Sequence, residues 1–219
     1  MKFVLPGGFD RVVLMIRHSV AVKTGNDLNK TLSPEGVALC HEVKQFYMDL
    51  AMQIMNKMGV SPAFCCSPFP RSFVTAWEMF GAANINIEEC LKVRASLLTI
   101  YEGKWAAARK AEKMNEPQMI RAFLADPSLM TGDFVAYNAS YTKFVEGLSY
   151  GTGESRSAKF VVAVGHEAGI SMAANGFLLA DQLGLDNCEA ILFYVAGGTI
   201  VSAEKIVPEK TSKRDTWPL

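Results

Sequence analysis

The chain has 219 residues, and its 22 Lys and Arg residues balance 22 Asp and Glu residues, so that its net charge is zero. This length suits one domain that buries roughly 70% of its unfolded surface and needs no disulfide or metal to fold. A zero net charge argues against a general nucleic-acid binder, which depends on clustered excess Lys and Arg, but it is compatible with a small anionic substrate.

The five cysteines indicate a reducing compartment. Their number is odd, no Cys-x-x-Cys pair occurs, and Cys65 and Cys66 are adjacent in an apolar run. This pattern is typical of buried thiols rather than of a disulfide framework or a zinc site. The amino terminus lacks the apolar core of a signal peptide, and no run of about 18 apolar residues occurs. We therefore expect a soluble, cytoplasmic protein.

The first predicted elements are a strand and a long helix. Residues 11–17 form a short β-branched, apolar run, which predicts a central strand of a parallel sheet. After a polar loop, Ser33, Pro34 and Glu35 have the order of a helix N-cap, a first-turn proline and a carboxylate that suits the helix dipole. Apolar residues at helical spacing then continue until Gly59 ends the predicted helix.

The rest of the chain alternates shorter strands and helices. Further strands are predicted at residues 63–67, within 91–100, at 159–165 and on both sides of Gly197-Gly198 within 189–206. Further helices are predicted at residues 71–80, 104–125, 135–149 and 167–183. This order predicts a three-layer α/β/α fold with a mostly parallel central sheet and helices on both faces. Residues 1–219 form one domain in this interpretation, with a helical flap at 104–155.

Three predicted strands end in residues that could carry chemistry. The first strand ends at Arg17-His18, the second ends at Ser67 shortly before Arg71, and the third ends at His166. Ligands of open α/β sheets gather at the carboxyl ends of the strands, so these side chains should share one crevice. Guanidinium groups bind phosphate oxygens in a bidentate manner, and a neutral imidazole can attack phosphorus. The combination therefore favours phosphoryl transfer.

Each of these residues also has a structural interpretation when it is taken alone. A single histidine at a strand end is commonly structural or solvated. Arg71 could be a surface helix residue that pairs with Glu78. His41 lies inside the amphipathic helix without a recognisable partner pattern, so we expect it to be structural.

Four segments together resemble the histidine phosphatase superfamily, which includes the cofactor-dependent phosphoglycerate mutases. The matching segments are IRHS at 16–19 ("RHG" in the family), LSPEG at 32–36 ("LTxxG"), SPFPRSFVTA at 67–76 ("SPxxRaxqTA") and VVAVGHEAGI at 161–170 ("vvxVGHgg"). They occur in the family's order and span most of the chain. The resemblance implies a phosphoglycerate mutase-like fold.

The resemblance also implies a role for each matching residue. His18 would be the nucleophile and would become transiently phosphorylated. Arg17 and Arg71 would hold the phosphate, and His166 would complete the pocket opposite His18. Thr75 would support Arg71, as would the serine that opens the same segment.

Three positions depart from the family's pattern. Ser19 follows the nucleophile where the family usually has Gly, and Val20 and Thr24 stand where mutases usually have Glu and Asn. The last two departures favour a phosphatase over a phosphoglycerate mutase. The Gly-His-Glu form of the late motif is similar to SixA-type phosphohistidine phosphatases, although this chain is longer than those proteins.

The general acid has no strict counterpart in this sequence. The stretch ASLLTIYEGKW at 95–105 resembles the family's "LxExxfGxW", but the position of the acid falls on Thr99. We expect Glu102 to reach the leaving-group oxygen with a pKa raised by burial, although it could equally be a surface residue. Glu167 is a less favoured substitute. Without either acid, the site would favour good leaving groups such as phosphohistidine or acyl phosphate.

The sequence therefore predicts a metal-independent phosphatase without a cofactor. It would hydrolyse a phosphomonoester or phosphoramidate through a phosphohistidine at His18. Its partner would be a small phosphorylated substrate or a phosphoprotein, with no nucleic acid and no membrane involved. Two alternatives are a phosphosugar mutase of the same superfamily and a catalytically weak phosphate-binding regulatory protein.

Overall fold

The structure is a computed structural model that describes residues 6–22, 29–81, 85–91, 132–147, 157–179 and 182–209. Its helices and strands are, in chain order, β1 (Arg11–Arg17), α1 (Pro34–Met58), β2 (Ala63–Cys66), α2 (Pro70–Phe80), β3 (Ile85–Ile87), α3 (Gly132–Glu146), β4 (Phe160–Gly165), α4 (Glu167–Ala173), β5 (Ala190–Ala196) and β6 (Thr199–Ile206). A short 3-10 turn at Glu89–Leu91 follows β3.

The strands form one six-stranded sheet in the order β3-β2-β4-β1-β5-β6. Strands β1 to β4 are mutually parallel, whereas β5 is antiparallel to both of its neighbours. A two-residue hairpin at Gly197-Gly198 joins β5 to β6, and both glycines have the positive φ that such a tight turn requires (57° and 77°). The predicted mostly parallel sheet and its closing strand pair are confirmed.

Two hydrophobic clusters pack against the two faces of the sheet. Successive side chains of a strand point to opposite faces. On β1, Val12, Leu14 and Ile16 therefore pack with residues of α1 and α2. Val13 and Met15 pack instead with residues of α3 and α4. Helices cover both faces, so the predicted three-layer architecture is confirmed.

The first turn of α1 begins as its sequence predicts. The Ser33 hydroxyl oxygen accepts a hydrogen bond from the Gly36 amide at 3.1 Å, and the helix ends at Gly59. A Cβ atom on Gly36 would lie 2.1 Å from the carbonyl oxygen of Val20. The helix therefore packs directly, backbone against backbone, on the loop that follows β1. No helix of the described ranges is long and apolar enough to cross a membrane.

One secondary-structure prediction is wrong, and one strand was not predicted. The helix predicted over 167–183 ends at Ala173, because the chain turns at Asn175 and adopts a left-handed φ of 89° at Gly176. The strand Ile85–Ile87 was not predicted, since three residues at a sheet edge are too few to show an alternating pattern.

The segment around α3 is described only in part. The helix predicted at 135–149 lies at Gly132–Glu146. Near its end, Tyr141, Phe144 and Val145 are buried in the core. The helix predicted at 104–125 and most of the stretch 91–100 lie outside the described residues. The helical flap at 104–155 therefore stays a prediction.

The cysteines are interior thiols, as predicted. All five are free, and all but Cys90 are buried. Burial, with a smaller effect of the Glu88 charge, raises the pKa of Cys66 and of Cys90 to about 12. These two thiols are therefore neutral at physiological pH and poorly reactive.

Candidate active site

The three predicted strand ends meet at one edge of the sheet. Strands β2, β4 and β1 are neighbours, and the register places Arg17 opposite Gly165. His18, Ser67 and His166 each follow the last residue of one of these strands directly. The topology therefore brings together the residues that the sequence places far apart.

The imidazoles of His18 and His166 are close neighbours, with ring centroids 5.2 Å apart in an edge-on arrangement. Nδ1 of His18 lies 2.7 Å from the carbonyl oxygen of Ser19. A carbonyl oxygen only accepts, so Nδ1 carries the proton and Nε2 of the neutral ring keeps its lone pair. Arg71 Nε donates a hydrogen bond to this Nε2 at 3.1 Å. The unprotonated ring nitrogen of His18 therefore faces the guanidinium group of Arg71.

Both imidazoles are held in the neutral form. Burial is the largest cause that lowers the pKa of His18 well below its usual value, and the charges of Arg71 and Arg17 lower it further. Burial likewise lowers the pKa of His166, with smaller effects of His18 and of the same two arginines. Burial and the two guanidinium charges therefore disfavour a proton on either ring.

Arg71 lies in the first turn of α2 and is only 6% exposed. Its guanidinium carbon lies 5.0 Å from the centroid of the Phe69 ring, a cation–π geometry. The same ring packs edge-on against His166 at 5.2 Å. Arg71 is thus an interior residue of the site, and its interpretation as a surface residue is wrong. Glu78, its expected surface partner, instead pairs with His41 at 2.7 Å.

Ser19 has no backbone strain at the place where the family prefers glycine. Among the described residues, Cys188 is the one non-glycine with a positive φ, so the loop after His18 does not require glycine. The Ser19 hydroxyl donates to the Gly36 carbonyl oxygen at 2.7 Å, and its amide donates to Thr75 Oγ1 at 2.9 Å. Thr75 Oγ1 in turn donates to the Arg71 carbonyl oxygen at 2.7 Å. Ser19 therefore links the loop to α1 and α2.

Two further residues position His166. Its Nε2 lies 2.8 Å from Ser67 Oγ, a direct contact that sequence reasoning did not predict. Its amide donates to the Tyr141 hydroxyl at 3.2 Å, although Tyr141 lies in α3. A Cβ atom on Gly169 would lie 2.5 Å from the Tyr141 ring. The closely spaced glycines 165 and 169 were the one sequence signal of this close packing.

Arg17 forms a buried ion pair with the residue that follows His166. Its Nη1 lies 2.6 Å from Glu167 Oε2, and the same nitrogen donates to the Leu185 carbonyl oxygen. Glu167 Oε1 accepts a hydrogen bond from the Leu185 amide at 3.3 Å. Because both of its oxygens are engaged, Glu167 is poorly placed to protonate a leaving group. Glu102, the preferred acid, lies outside the described residues.

No protein-family profile and no curated protein matches the chain. The fold is similar to a phosphoserine phosphatase from Entamoeba histolytica, at 16% identity and a TM-score of 0.61, over 91% of this chain and 98% of that chain. It is also similar to a phosphoglycerate mutase from Bacillus anthracis, at 14% identity and a TM-score of 0.59, over 91% and 93% of the two chains. A SixA-type structure from Nakamurella multipartitia, 14% identical over 90% and 96% of the two chains, reaches only 0.46, so that resemblance stays a prediction. The chain therefore has the phosphoglycerate mutase-like fold that its four motifs predicted.

Proposed function

We propose that the protein is a phosphatase that hydrolyses a phosphomonoester or phosphoramidate through a phosphohistidine at His18. The observation that carries this proposal is the hydrogen bond from His18 Nδ1 to the Ser19 carbonyl oxygen. It leaves Nε2 unprotonated, with a lone pair that accepts a hydrogen bond from Arg71 Nε and that can attack phosphorus once this contact is displaced. A phosphoryl group that enters the site would displace Arg71 Nε from His18 Nε2 and would itself contact the guanidinium group.

Two displacements complete the proposed reaction. In the first, the His18 Nε2 lone pair forms a bond to phosphorus while the bond to the leaving oxygen or nitrogen breaks. In the second, water attacks phosphorus and gives a proton to the carboxylate that remains after the acid has protonated the leaving group, while Nε2 departs with its electron pair to give inorganic phosphate. Arg71 and Arg17 stabilise the charge that is spread over the phosphoryl oxygens, and His166 lies across from the nucleophile.

The leaving group of the first step also needs a proton. We propose Glu102 for this role, as its stretch resembles the acid-bearing segment of the family. A substrate with a good leaving group, such as a phosphohistidine or an acyl phosphate, would depend less on this acid. Glu102→Gln should therefore slow the hydrolysis of an alkyl phosphate much more than the hydrolysis of p-nitrophenyl phosphate.

The central test compares the wild type with His18→Ala in p-nitrophenyl phosphate hydrolysis with EDTA present. We expect His18→Ala to lose at least about a thousandfold in kcat, because the covalent step is removed. His41→Ala is the matched control, since that imidazole is exposed and pairs with Glu78 away from the site. Activity that survives in His18→Ala, or that EDTA abolishes, would contradict the proposal.

The search for the natural substrate can begin with the compounds that are bound in similar proteins. Phosphoserine and 3-phosphoglyceric acid, which are bound in structures of the similar phosphoserine phosphatase from Entamoeba histolytica, are suitable first compounds. A mutase rate that far exceeds hydrolysis in a coupled assay would favour the phosphosugar mutase. Tight binding of phosphate or vanadate without turnover of any ester would favour the regulatory protein.

A further inference from the structure

The ion pair of Arg17 and Glu167 lies largely buried beside the two imidazoles. The two side chains are 16% and 1% exposed, and their closest atoms are 2.6 Å apart. Arg17 is also close enough to both imidazoles that its charge lowers the pKa of His18 and of His166. The carboxylate therefore neutralises a cation that belongs to the anion site.

The position of Arg17 does not depend on Glu167 alone. The Arg17 amide donates to the Glu189 carbonyl oxygen at 2.8 Å, and the Arg17 carbonyl oxygen accepts from the Cys188 amide at 3.2 Å. The Leu185 carbonyl oxygen also accepts from the guanidinium group. Backbone groups of the segment before β5 thus hold the Arg17 main chain and contact its guanidinium group, and the carboxylate adds a negative charge to these contacts.

The charges of the described site residues determine how strongly the site attracts phosphate. With neutral imidazoles, Arg17 and Arg71 supply two positive charges, and Glu167 cancels one of them. A phosphate that binds must share Arg17 with a carboxylate already in contact with it. The Glu167 carboxylate weakens the attraction between Arg17 and a bound phosphate, because it partly neutralises the guanidinium group and also repels the phosphate.

We propose that Glu167 is an internal counter-anion that competes with phosphate for Arg17 and thereby limits the affinity of the site for phosphate. This inference rests on the proposed function in taking the ligand to be a phosphoryl group. In turnover, the carboxylate would favour the release of inorganic phosphate. In the empty site, it would spare Arg17 the cost of a buried charge without a counter-ion.

The test is a calorimetric titration of wild type, Glu167→Gln and Glu78→Gln with inorganic phosphate. Glutamine keeps the shape of the side chain and an oxygen that accepts from the Leu185 amide. We expect Glu167→Gln to bind phosphate at least about tenfold more tightly. Glu78→Gln, the matched control at an exposed pair with His41, should leave the affinity unchanged. Equal or weaker binding by Glu167→Gln, the result of a purely structural role, would overturn the proposal.

A second comparison separates competition for Arg17 from direct repulsion between the carboxylate and phosphate. Arg17→Gln leaves the Glu167 carboxylate without this cation to share, whereas the double variant Arg17→Gln with Glu167→Gln removes both charges. We expect removal of the carboxylate to raise the phosphate affinity by a smaller factor in the Arg17→Gln background than in the wild type. An equal gain in both backgrounds would refute competition for Arg17. Glu167→Met, which also removes the charge, replaces Glu167→Gln throughout if that variant fails to fold.

The titration separates this inference from the proposed function. If Glu167→Gln binds phosphate more tightly but the protein shows no hydrolysis that depends on His18, the phosphatase proposal is refuted and the counter-anion proposal is supported. Hydrolysis that depends on His18, together with an unchanged phosphate affinity in Glu167→Gln, would do the reverse.

Discussion

At the scale of single residues, hydrogen bonds at the imidazoles decide the chemistry of the site. The motif around His18 predicts a nucleophile, but it does not show which ring nitrogen carries the proton. The Ser19 carbonyl oxygen settles this, because it accepts from Nδ1 at 2.7 Å. Ser67 Oγ contacts Nε2 of His166 at 2.8 Å, and this hydroxyl can either donate or accept.

Some of the contacts at the site were predicted from the sequence, and others were not. His18, Arg71 and His166 were predicted to meet, because each lies at or just after a strand end. The pairing of Arg17 with Glu167 was not predicted, because 150 residues separate them along the chain and no local pattern links them. The roles of Glu102 and of the four matching residues in catalysis stay predictions.

A substitution at Ser19 tests its link to α1. Ser19→Ala removes the 2.7 Å hydrogen bond to the Gly36 carbonyl oxygen and should lower the free energy of unfolding by about 1 kcal/mol. Ser19→Gly should lower it at least as much, because glycine also gains freedom in the unfolded chain. Urea unfolding measures both effects. Ser202→Ala on the exposed face of β6 is the control, and a Ser19→Gly variant more stable than wild type would contradict the expectation.

At the scale of elements, capping residues predicted both ends of α1 correctly, whereas the apolar periodicity overestimated the length of α4. Ser33 and Gly59 mark the ends of α1, because capping depends on residues adjacent in sequence. The prediction of a helix to residue 183 failed at Asn175-Gly176, where the apolar pattern continues but the backbone turns. Strand β3 was missed because the sheet, not its own three residues, makes it a strand.

Gly36 offers a test at this scale, because its packing reverses the usual effect of a substitution. Ala in place of Gly inside a helix normally stabilises by about 1 kcal/mol. A Cβ atom on Gly36 would lie 2.1 Å from the Val20 carbonyl oxygen, which belongs to the backbone and cannot rotate away. We therefore expect Gly36→Ala to destabilise the protein by roughly 1–3 kcal/mol and to reduce kcat by displacing the loop after His18.

Thermal unfolding and hydrolysis assays of Gly36→Ala measure these two effects. Lys44→Ala, on the exposed face of the same helix, controls for helix propensity and should change neither by much. A Gly36→Ala variant that is more stable than wild type and fully active would show that the loop yields without effect on the nucleophile.

At the scale of the whole molecule, the strand order places the site. β4 lies between β1 and β2, although it begins 94 residues after the end of β2 and 143 residues after the end of β1. This insertion puts the late histidine between the early motifs. It also buries His166, which is only 4% exposed, under α3.

That burial makes the stability of the protein depend on pH. The pKa of His166 is lowered in the folded state, so the unfolded chain binds a proton that the folded protein does not. Stability is therefore fully present above about pH 6.5 and falls as the pH drops below it, by up to about 1.4 kcal/mol per pH unit for this one imidazole. The dependence ends below the lowered pKa of the folded state.

Chemical unfolding of wild type and His166→Asn between about pH 7 and pH 5 checks this expectation. The wild type should lose more stability over this range than His166→Asn, because the variant has no imidazole to take up the proton. His41→Asn, at the exposed pair with Glu78, should follow the wild type. Parallel curves for wild type and His166→Asn would contradict the assignment.

The sequence by itself determined the buried strands, the helix caps and the identity of the residues at three strand ends. These features depend on neighbours along the chain or on alternation within a short run, so they can be read locally. Only the tertiary structure decided the proton position on His18, the pairing of Arg17 with Glu167 and the contact of Tyr141 with His166. The last two join groups that are far apart in the chain, and only the folded chain sets the distance between them, although the glycines at 165 and 169 indicate close packing beside His166. The first depends on how the His18 ring is oriented toward the carbonyl oxygen of its neighbour Ser19, which residue types alone do not specify.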